Sequence, residues 1–274
     1  MPRKKKLLNE LNPGVYSNIP HKSYLALPFV SNSYLGKLAK CPANAKIEQE
    51  DTPSLLFGRG VHAYVLEGQK AFKKEFAISP DIDKRTKEGK EQWNEFLSKN
   101  ADKNILTIED YAKIKEIDSA VYRHPFATRL LSQGISEQTV IWFDEETGIM
   151  CKMRTDRLPD GDHGVLVDLK TTENASEFAF ASSIRSYGYA RQAAMYLHGI
   201  KTITGKGFDL FAFIVVEKKK PHRTEVYTLD SEYLAWGFQE YKRLLRLERQ
   251  CRDIGEWPHY RYPGAQEIFK PNYL

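Results

Sequence analysis

At 274 residues, with 12% aromatic residues, mixed charge and a formal net charge of +5, the chain can bury a sizeable core and is globular rather than disordered. The modest charge excludes a histone-like polycation; it permits a localised basic surface for nucleic acid without demanding one. Three widely spaced cysteines, Cys41, Cys151 and Cys251, fall short of a four-thiolate iron–sulfur site, argue against a disulfide framework or zinc knuckle, and favour a reduced, cytoplasmic setting.

In chain order, residues 1–30 carry Pro and Asn with little periodicity and predict an irregular lead-in. The basic start, Arg3 to Lys6, is followed by no apolar run of signal-peptide length and reads as a solvated end. Ser31, Asn32 and Ser33 predict a capped helix that stops near Lys40, before Cys41 and Pro42. Residues 55–66 predict a second helix, with Leu55, Leu56, Val61, Val65 and Leu66 on its apolar side. Gly58, His62 and Leu66 share one stripe of it, and the glycine leaves room one turn before the imidazole. A single histidine on a helix is more often a core or surface residue than a ligand.

Residues 71–131 predict highly charged helix, with Trp93, Phe96, Leu97, Tyr111, Ile114 and Ile117 turned inward. Lys84, Arg85, Lys87 and Lys90 fit a nucleic-acid channel and a solvated helix face equally well. Residues 139–143 and 150–155 predict two strands around a turn at 144–148. Glu137 stands just before them, and no motif fixes a role for it.

Residues 153–172 read MRTDRLPDGDHGVLVDLKTT: a strand reaching Asp156, a polar turn at 159–164, and a β-branched strand at 165–171. Strand side chains alternate between faces, so Asp168 and Lys170 point the same way, and the fold-back can bring Asp156 beside them. The apolar Val165, Leu166 and Val167 mark a buried strand, and buried charges need partners or a metal. Two carboxylates and one ammonium so placed can hold a divalent metal against a phosphate and position water for in-line attack. The plain alternative is a solvated strand with alternating charge.

Residues 177–186 and 189–198 predict helices broken at Tyr187 and Gly188. Gln192 and Tyr196 share a face of the second, with Tyr189 one turn earlier, a pairing that by itself is more often structural than catalytic. Strands at 208–216 and 223–229 flank a basic turn, where Lys218, Lys219 and Lys220 either grip a DNA backbone or keep the hairpin soluble. The first of these strands contains Asp209 and is too short to span a bilayer, so no membrane association is expected. An amphipathic helix at 231–252 precedes a tail whose Trp257, Tyr260 and Tyr262 pack back or meet another subunit.

Asp156 followed by Asp168, Leu169 and Lys170 resembles the core of the PD-(D/E)XK nuclease superfamily. The ordered phrases SNSYL at 31–35, LFGRGVH at 56–62 and KRTKEGK at 84–90, with Tyr187-Gly188-Tyr189 leading to Gln192 and Tyr196, resemble its RecE-type exonuclease VIII group. Those phage and prophage enzymes digest one strand of duplex DNA from its 5′ end. The resemblance runs from about His21 to the end of the Gln192 helix. It implies an α/β, restriction-endonuclease-like fold: a mixed central β-sheet flanked by helices, with an N-terminal helical extension. One nuclease domain would span 1–274, mainly helical over 1–135, with the catalytic sheet at 136–230 and a helix and tail at 231–274.

The resemblance also implies Mg²⁺, with Mn²⁺ able to substitute, held by His62, Asp156, Asp168 and the Leu169 carbonyl. Lys170 would position or deprotonate the attacking water, its pKa depressed by the neighbouring cation. Gln192 and Tyr196 would orient lysine, water and phosphate, while Ser33 and Lys37 would lie near the DNA end. Linear double-stranded DNA would be cut 5′ to 3′ to leave 3′ tails for phage-type recombination, in the host cytoplasm if the gene is phage-borne. A homo-oligomeric ring, a trimer or tetramer, and a single-strand annealing protein are the implied partners. Two other readings stay open: a structure-selective endonuclease on the same fold, and a catalytically dead DNA-binding or annealing module, against which the complete set of six site residues speaks.

Overall fold

The computed structural model describes residues 11–48, 51–161, 164–208, 210–260, 265 and 267–270. The basic start, Asp209 and Tyr262 lie outside the described residues. The described residues open with β1 (Gly14–Tyr16), α1 (His21–Leu25) and α2 (Asn32–Lys40), then a 3₁₀ turn (Pro42–Lys46) and α3 (Pro53–Glu75), which is kinked at Gly68. Next come β2 (Phe76–Ile78), α4 (Lys87–Lys99), β3 (Asn104–Leu106), α5 (Ile108–Arg123) and α6 (Pro125–Leu131). The second half follows as β4 (Ile135–Asp144), β5 (Ile149–Leu158), β6 (Val165–Thr172), α7 (Glu177–Tyr187), α8 (Tyr189–Thr204), β7 (Leu210–Glu217), β8 (Thr224–Thr228) and α9 (Ser231–Ile254).

Helix ends follow their capping chemistry. Ser31 Oγ accepts from the Tyr34 amide at 3.3 Å and Thr52 Oγ1 from the Leu55 amide at 3.3 Å, so α2 and α3 start where a hydroxyl satisfies an otherwise orphan donor. Gly188, left-handed at φ 68°, closes α7 and opens α8 with no linker between them.

Six strands form one mixed sheet in the order β1-β4-β5-β6-β7-β8. β6 and β7 run parallel, joined by the α7–α8 crossover, and the other pairs are antiparallel. Both faces are covered, as an α/β sheet with apolar central strands requires. On one face Leu166, Phe211, Phe213 and Val215 pack with Ala190 and Ala193 of α8 and Tyr241, Leu244 and Leu245 of α9. On the other, Val167, Leu169, Ile214 and Val216 pack with Val61 and Val65 of α3 and Ile114 and Ile117 of α5. β5 and β6 share a single registered pair, Arg157↔Val167. Beyond it the two strands splay, and the site forms in that gap.

The sequence expectations depart from the structure in three places. The lead-in is not irregular throughout: β1 adds an edge strand to β4, and Lys152 Nζ donates to the carbonyls of Tyr24, Leu25 and Leu27 to hold α1 on the sheet. Residues 71–131 are not continuous helix, because β2 and β3 pair as a two-stranded parallel sheet. Three-residue strands are too short to show a period of two. Trp93, Phe96 and Leu97 do not enter either core: Leu97 is 37% exposed, while Trp93 stacks on Phe96 and carries Lys84 Nζ over its ring at 3.3 Å. The tail packs back at Trp257, which donates to Glu248 at 3.0 Å, whereas Tyr260 is exposed. No helix of the described residues is long and apolar enough to cross a membrane.

Two glycines separate packing from expectation. At Gly237 in α9 a Cβ would fall 2.2 Å from the Ala190 carbonyl oxygen, so the glycine lets α9 press against the turn of α8 that carries Gln192. At Gly58 a Cβ would meet only Thr171 Oγ1, at 3.8 Å, an ordinary contact. Gly237→Ala is therefore expected to cost about 1–3 kcal/mol or more, and Gly58→Ala to be neutral or to gain up to about 1 kcal/mol of helix propensity. Urea unfolding of the two variants checks this; equal midpoints would contradict it.

Candidate active site

Helix α3 crosses the sheet diagonally. Ser54 Oγ accepts from Lys218 Nζ just past β7, Gly58 passes Thr171 of β6, His62 faces Asp156 of β5, and the Leu66 carbonyl accepts from Ser136 Oγ of β4. The imidazole thus reaches the β5–β6 gap from one face. From the other face, α8 delivers Gln192. The splay is what lets both helices address the same strands.

Asp156 lies at the centre. Its Oδ2 accepts from the Leu169 amide at 2.6 Å and stands 3.4 Å from His62 Nδ1. Beside it is Glu137, inside β4 with a left-handed φ of 55°, a conformation that costs a non-glycine residue energy and that clusters at functional sites. One donor atom each from His62, Glu137 and Asp156 fall within 4.8 Å of one another. Arg154 Nη1 approaches Glu137 Oε2 at 3.5 Å. Glu137 is the site residue that the sequence did not assign. The signal available for it was an acid embedded in a strand between polar Ser136 and Gln138.

Asp168 and Lys170 form the second half. Lys170 Nζ is 2.6 Å from Asp168 Oδ2 and donates to Gln192 Oε1 at 3.0 Å, while Gln192 Nε2 donates to Asp168 Oδ1 at 2.5 Å. One amide therefore spans acid and lysine. The Lys170 ammonium also sits 4.6 Å from the centre of the Tyr189 ring, a cation–π arrangement. Tyr196, one turn beyond Gln192, packs edge-on against Phe211 at 6.1 Å in the core of that face. The aromatic ring under the lysine is thus Tyr189. Leu169 is fully buried, and its amide is the group tied to Asp156.

The charges follow from burial and proximity. Burial alone would lower the His62 pKa, but Asp156, with Glu137 and Asp168 behind it, raises it to about 9. Burial, then the Asp156 charge, push Glu137 up to about 7. Asp156 is held below the usual carboxylate range; burial opposes this and His62, Lys170 and the Leu169 amide overcome it. Asp168 is raised, by burial first and then by Asp156. Lys170 is raised: burial opposes, and Asp168, Tyr189 and Asp156 prevail. Without a cation beside it, the lysine is thus held protonated by its two acids.

The donor set fits a divalent ion. Two acids and an imidazole converge, Glu137 in a strained backbone, and nearby Asp168 Oδ2 is buried with only the Lys170 ammonium, 2.6 Å away, against it. Carboxylates with one imidazole suit Mn²⁺ as well as Mg²⁺. His62, Glu137 and Asp156 are the convergent donors, and Asp168 stands beside them with Oδ1 accepting from Gln192 and Oδ2 2.6 Å from Lys170 Nζ.

A family model described as "PDDEXK-like domain of unknown function (DUF3799)" matches residues 31–270. The chain belongs to that family. No curated protein matches it. Among solved structures, the crystal structure of the "Putative exonuclease" from Eubacterium rectale is similar over 93% of this chain and 96% of that one, at 17% identity and a TM-score of 0.59. The crystal structure of SSO0001 covers 80% of this chain and 87% of its own at 12% identity, and its TM-score of 0.30 carries no argument. The fold is therefore that of the PD-(D/E)XK nucleases, at the level of the superfamily rather than of its RecE-type group.

Within this PDDEXK-like domain the expected DNA contacts are tied up in different degrees. Lys218 and Lys219 pair with Glu173 and Lys220 with Glu116, so the three lysines of the basic turn share two acids. Lys37 Nζ donates to the Ile47 carbonyl at 2.6 Å, and Ser33 is exposed at the start of α2.

An imidazole must be neutral and Glu137 ionised before either can ligate, so ion binding releases protons. With pKa values raised to about 7 and about 9, Mn²⁺ affinity is expected to rise with pH between about 6 and about 9. Titration calorimetry in buffers of different ionisation enthalpy checks this. Glu137→Gln should remove the lower part of the rise; an affinity flat across the window, with no proton release, contradicts the ligand set.

Proposed function

We propose that this PDDEXK-like domain is a metal-dependent exodeoxyribonuclease that hydrolyses phosphodiester bonds of linear double-stranded DNA. The observation that carries the reading is the meeting, in one buried gap of a nuclease fold, of the Asp156 cluster with the Asp168–Lys170–Gln192 triad.

His62, Asp156 and Glu137, with Asp168 beside them, would hold Mg²⁺ or Mn²⁺. Bound there, the ion would supply Lewis acidity toward a phosphate oxygen and a lowered pKa for its water. The chain's own contribution lies in Lys170. Its ammonium, locked by Asp168 and Gln192 and backed by Tyr189, is a fixed positive charge aimed where negative charge grows on the phosphate. A group held in place before the reaction costs no reorganisation during it. Gln192 orients that lysine through its amide, and Tyr196, one turn on, supports Gln192.

The finer features rest on the RecE-type motifs: digestion from the 5′ end, 3′ tails handed to an annealing protein in phage-type recombination, a ring-shaped homo-oligomer of three or four subunits, and a cytoplasmic setting. Ser33 and Lys37 at the start of α2 are the proposed contacts to the DNA end.

End-labelled linear duplex incubated with Mg²⁺ tests the reading. The 5′ label should be released first, and a covalently closed circle should survive. Asp156→Ala, Asp168→Ala and Lys170→Ala should each lower nucleotide release by about 10²–10³-fold or more, with circular dichroism unchanged. Normal release by Lys170→Ala contradicts the assignment, and cutting of the closed circle transfers the site to an endonuclease.

A further inference from the structure

One exposed aromatic is joined to the site by stacking. Tyr187 ends α7, and the left-handed Gly188 turns the chain directly into α8 at Tyr189. So short a junction sets the two rings against each other, centroids 5.6 Å apart and planes 28° from parallel. Tyr189 is anchored by Phe180 at 5.9 Å and Phe213 at 5.7 Å, and its ring carries the Lys170 ammonium. Tyr187 itself is 65% exposed, and Arg185, two residues earlier, is exposed as well.

A tyrosine with one side in an anchored stack and the rest in solvent is preorganised for a second flat ring, because little side-chain entropy remains to be lost on binding. The stack runs from solvent to the lysine that would face the phosphate. A flat aromatic ligand covalently joined to a phosphate is a nucleotide, and every base presents a π-face whatever its sequence. A base inside a duplex is already stacked and paired and cannot reach such a platform. The aromatic and the basic side chain at the end of α7 match the way single strands are bound, by stacking for bases and by cations for the backbone.

We propose that Tyr187 is a nucleobase-stacking platform, taking the base next to the phosphate held at Lys170, and that the strand is therefore unpaired where it is cut: a single strand or a melted end. This rests on the nuclease reading above, and deepens it by naming the local state of the substrate.

The test uses the full chain and oligonucleotides carrying 2-aminopurine at the terminal positions, with Ca²⁺ in place of Mg²⁺ for binding. Wild type should quench the 2-aminopurine of a single strand and of a frayed end. Tyr187→Ala should lose the quenching, bind the single strand about tenfold more weakly and raise KM by a similar factor, as loss of one base–aromatic stack implies. Tyr187→Phe, which keeps the ring, should retain both. Unchanged quenching and affinity in Tyr187→Ala overturn the platform while Mg²⁺-dependent release by wild type leaves the nuclease reading standing. So does equal cleavage of frayed ends and of ends crosslinked to prevent melting. Failure of wild type to release any nucleotide overturns both.

Discussion

The carboxylate of Asp156 is the point on which the site's geometry turns. It takes the Leu169 amide of β6 at 2.6 Å, faces His62 of α3 at 3.4 Å, and shares a donor cluster with Glu137 of β4. Three strands and one helix are thus referenced to a single group. Because β5 and β6 pair at one position only, the gap beside Asp156 stays open, and side chains from both faces of the sheet enter it. In an unbroken sheet, α3 and α8 would be separated by the strands between them.

That arrangement gathers charge in a place with little water, which requires compensation. The structure supplies it in two adjoining sets. His62 and Arg154 offset Asp156 and Glu137, and Lys170 offsets Asp168 with Gln192 as the neutral spacer. Burial first, and then the Asp156 charge, raise the Glu137 pKa to about 7. A divalent cation would favour the ionised carboxylate, so binding of an ion and ionisation of the site are linked. Asp168, Tyr189 and Asp156 raise the Lys170 pKa against its burial, which accords with the charge-stabilising role proposed for it.

Much of the fold was legible because it is written in short-range chemistry. The β5–β6 hairpin follows from a polar turn between two strand-like runs, the start of α2 from Ser31, and the α7–α8 break from Gly188. The proximity of Asp168 and Lys170 follows from strand alternation alone. Glu137 escaped because its role depends on a left-handed backbone in the middle of a strand, which a single acid ahead of an apolar run does not announce. Tyr189 was placed on the right helical face, but only the fold shows its ring beneath Lys170. The amphipathic pattern of α4 was real, yet periodicity does not name a partner, and Trp93 and Phe96 found each other and Lys84 instead of a core. The ion pairs of the lysine run 218–220 were not legible because their acids, Glu116 and Glu173, are distant in sequence.

The central claim is that the β5–β6 gap is a metal centre organised by Asp156. Anomalous diffraction from crystals soaked in Mn²⁺ above about pH 8 tests it directly, since the ion identifies its own ligands. One Mn²⁺ bound by His62, Glu137 and Asp156, with the His62–Asp156 contact given up to it, is the predicted result. Manganese found elsewhere, with His62 still paired to Asp156, contradicts the account.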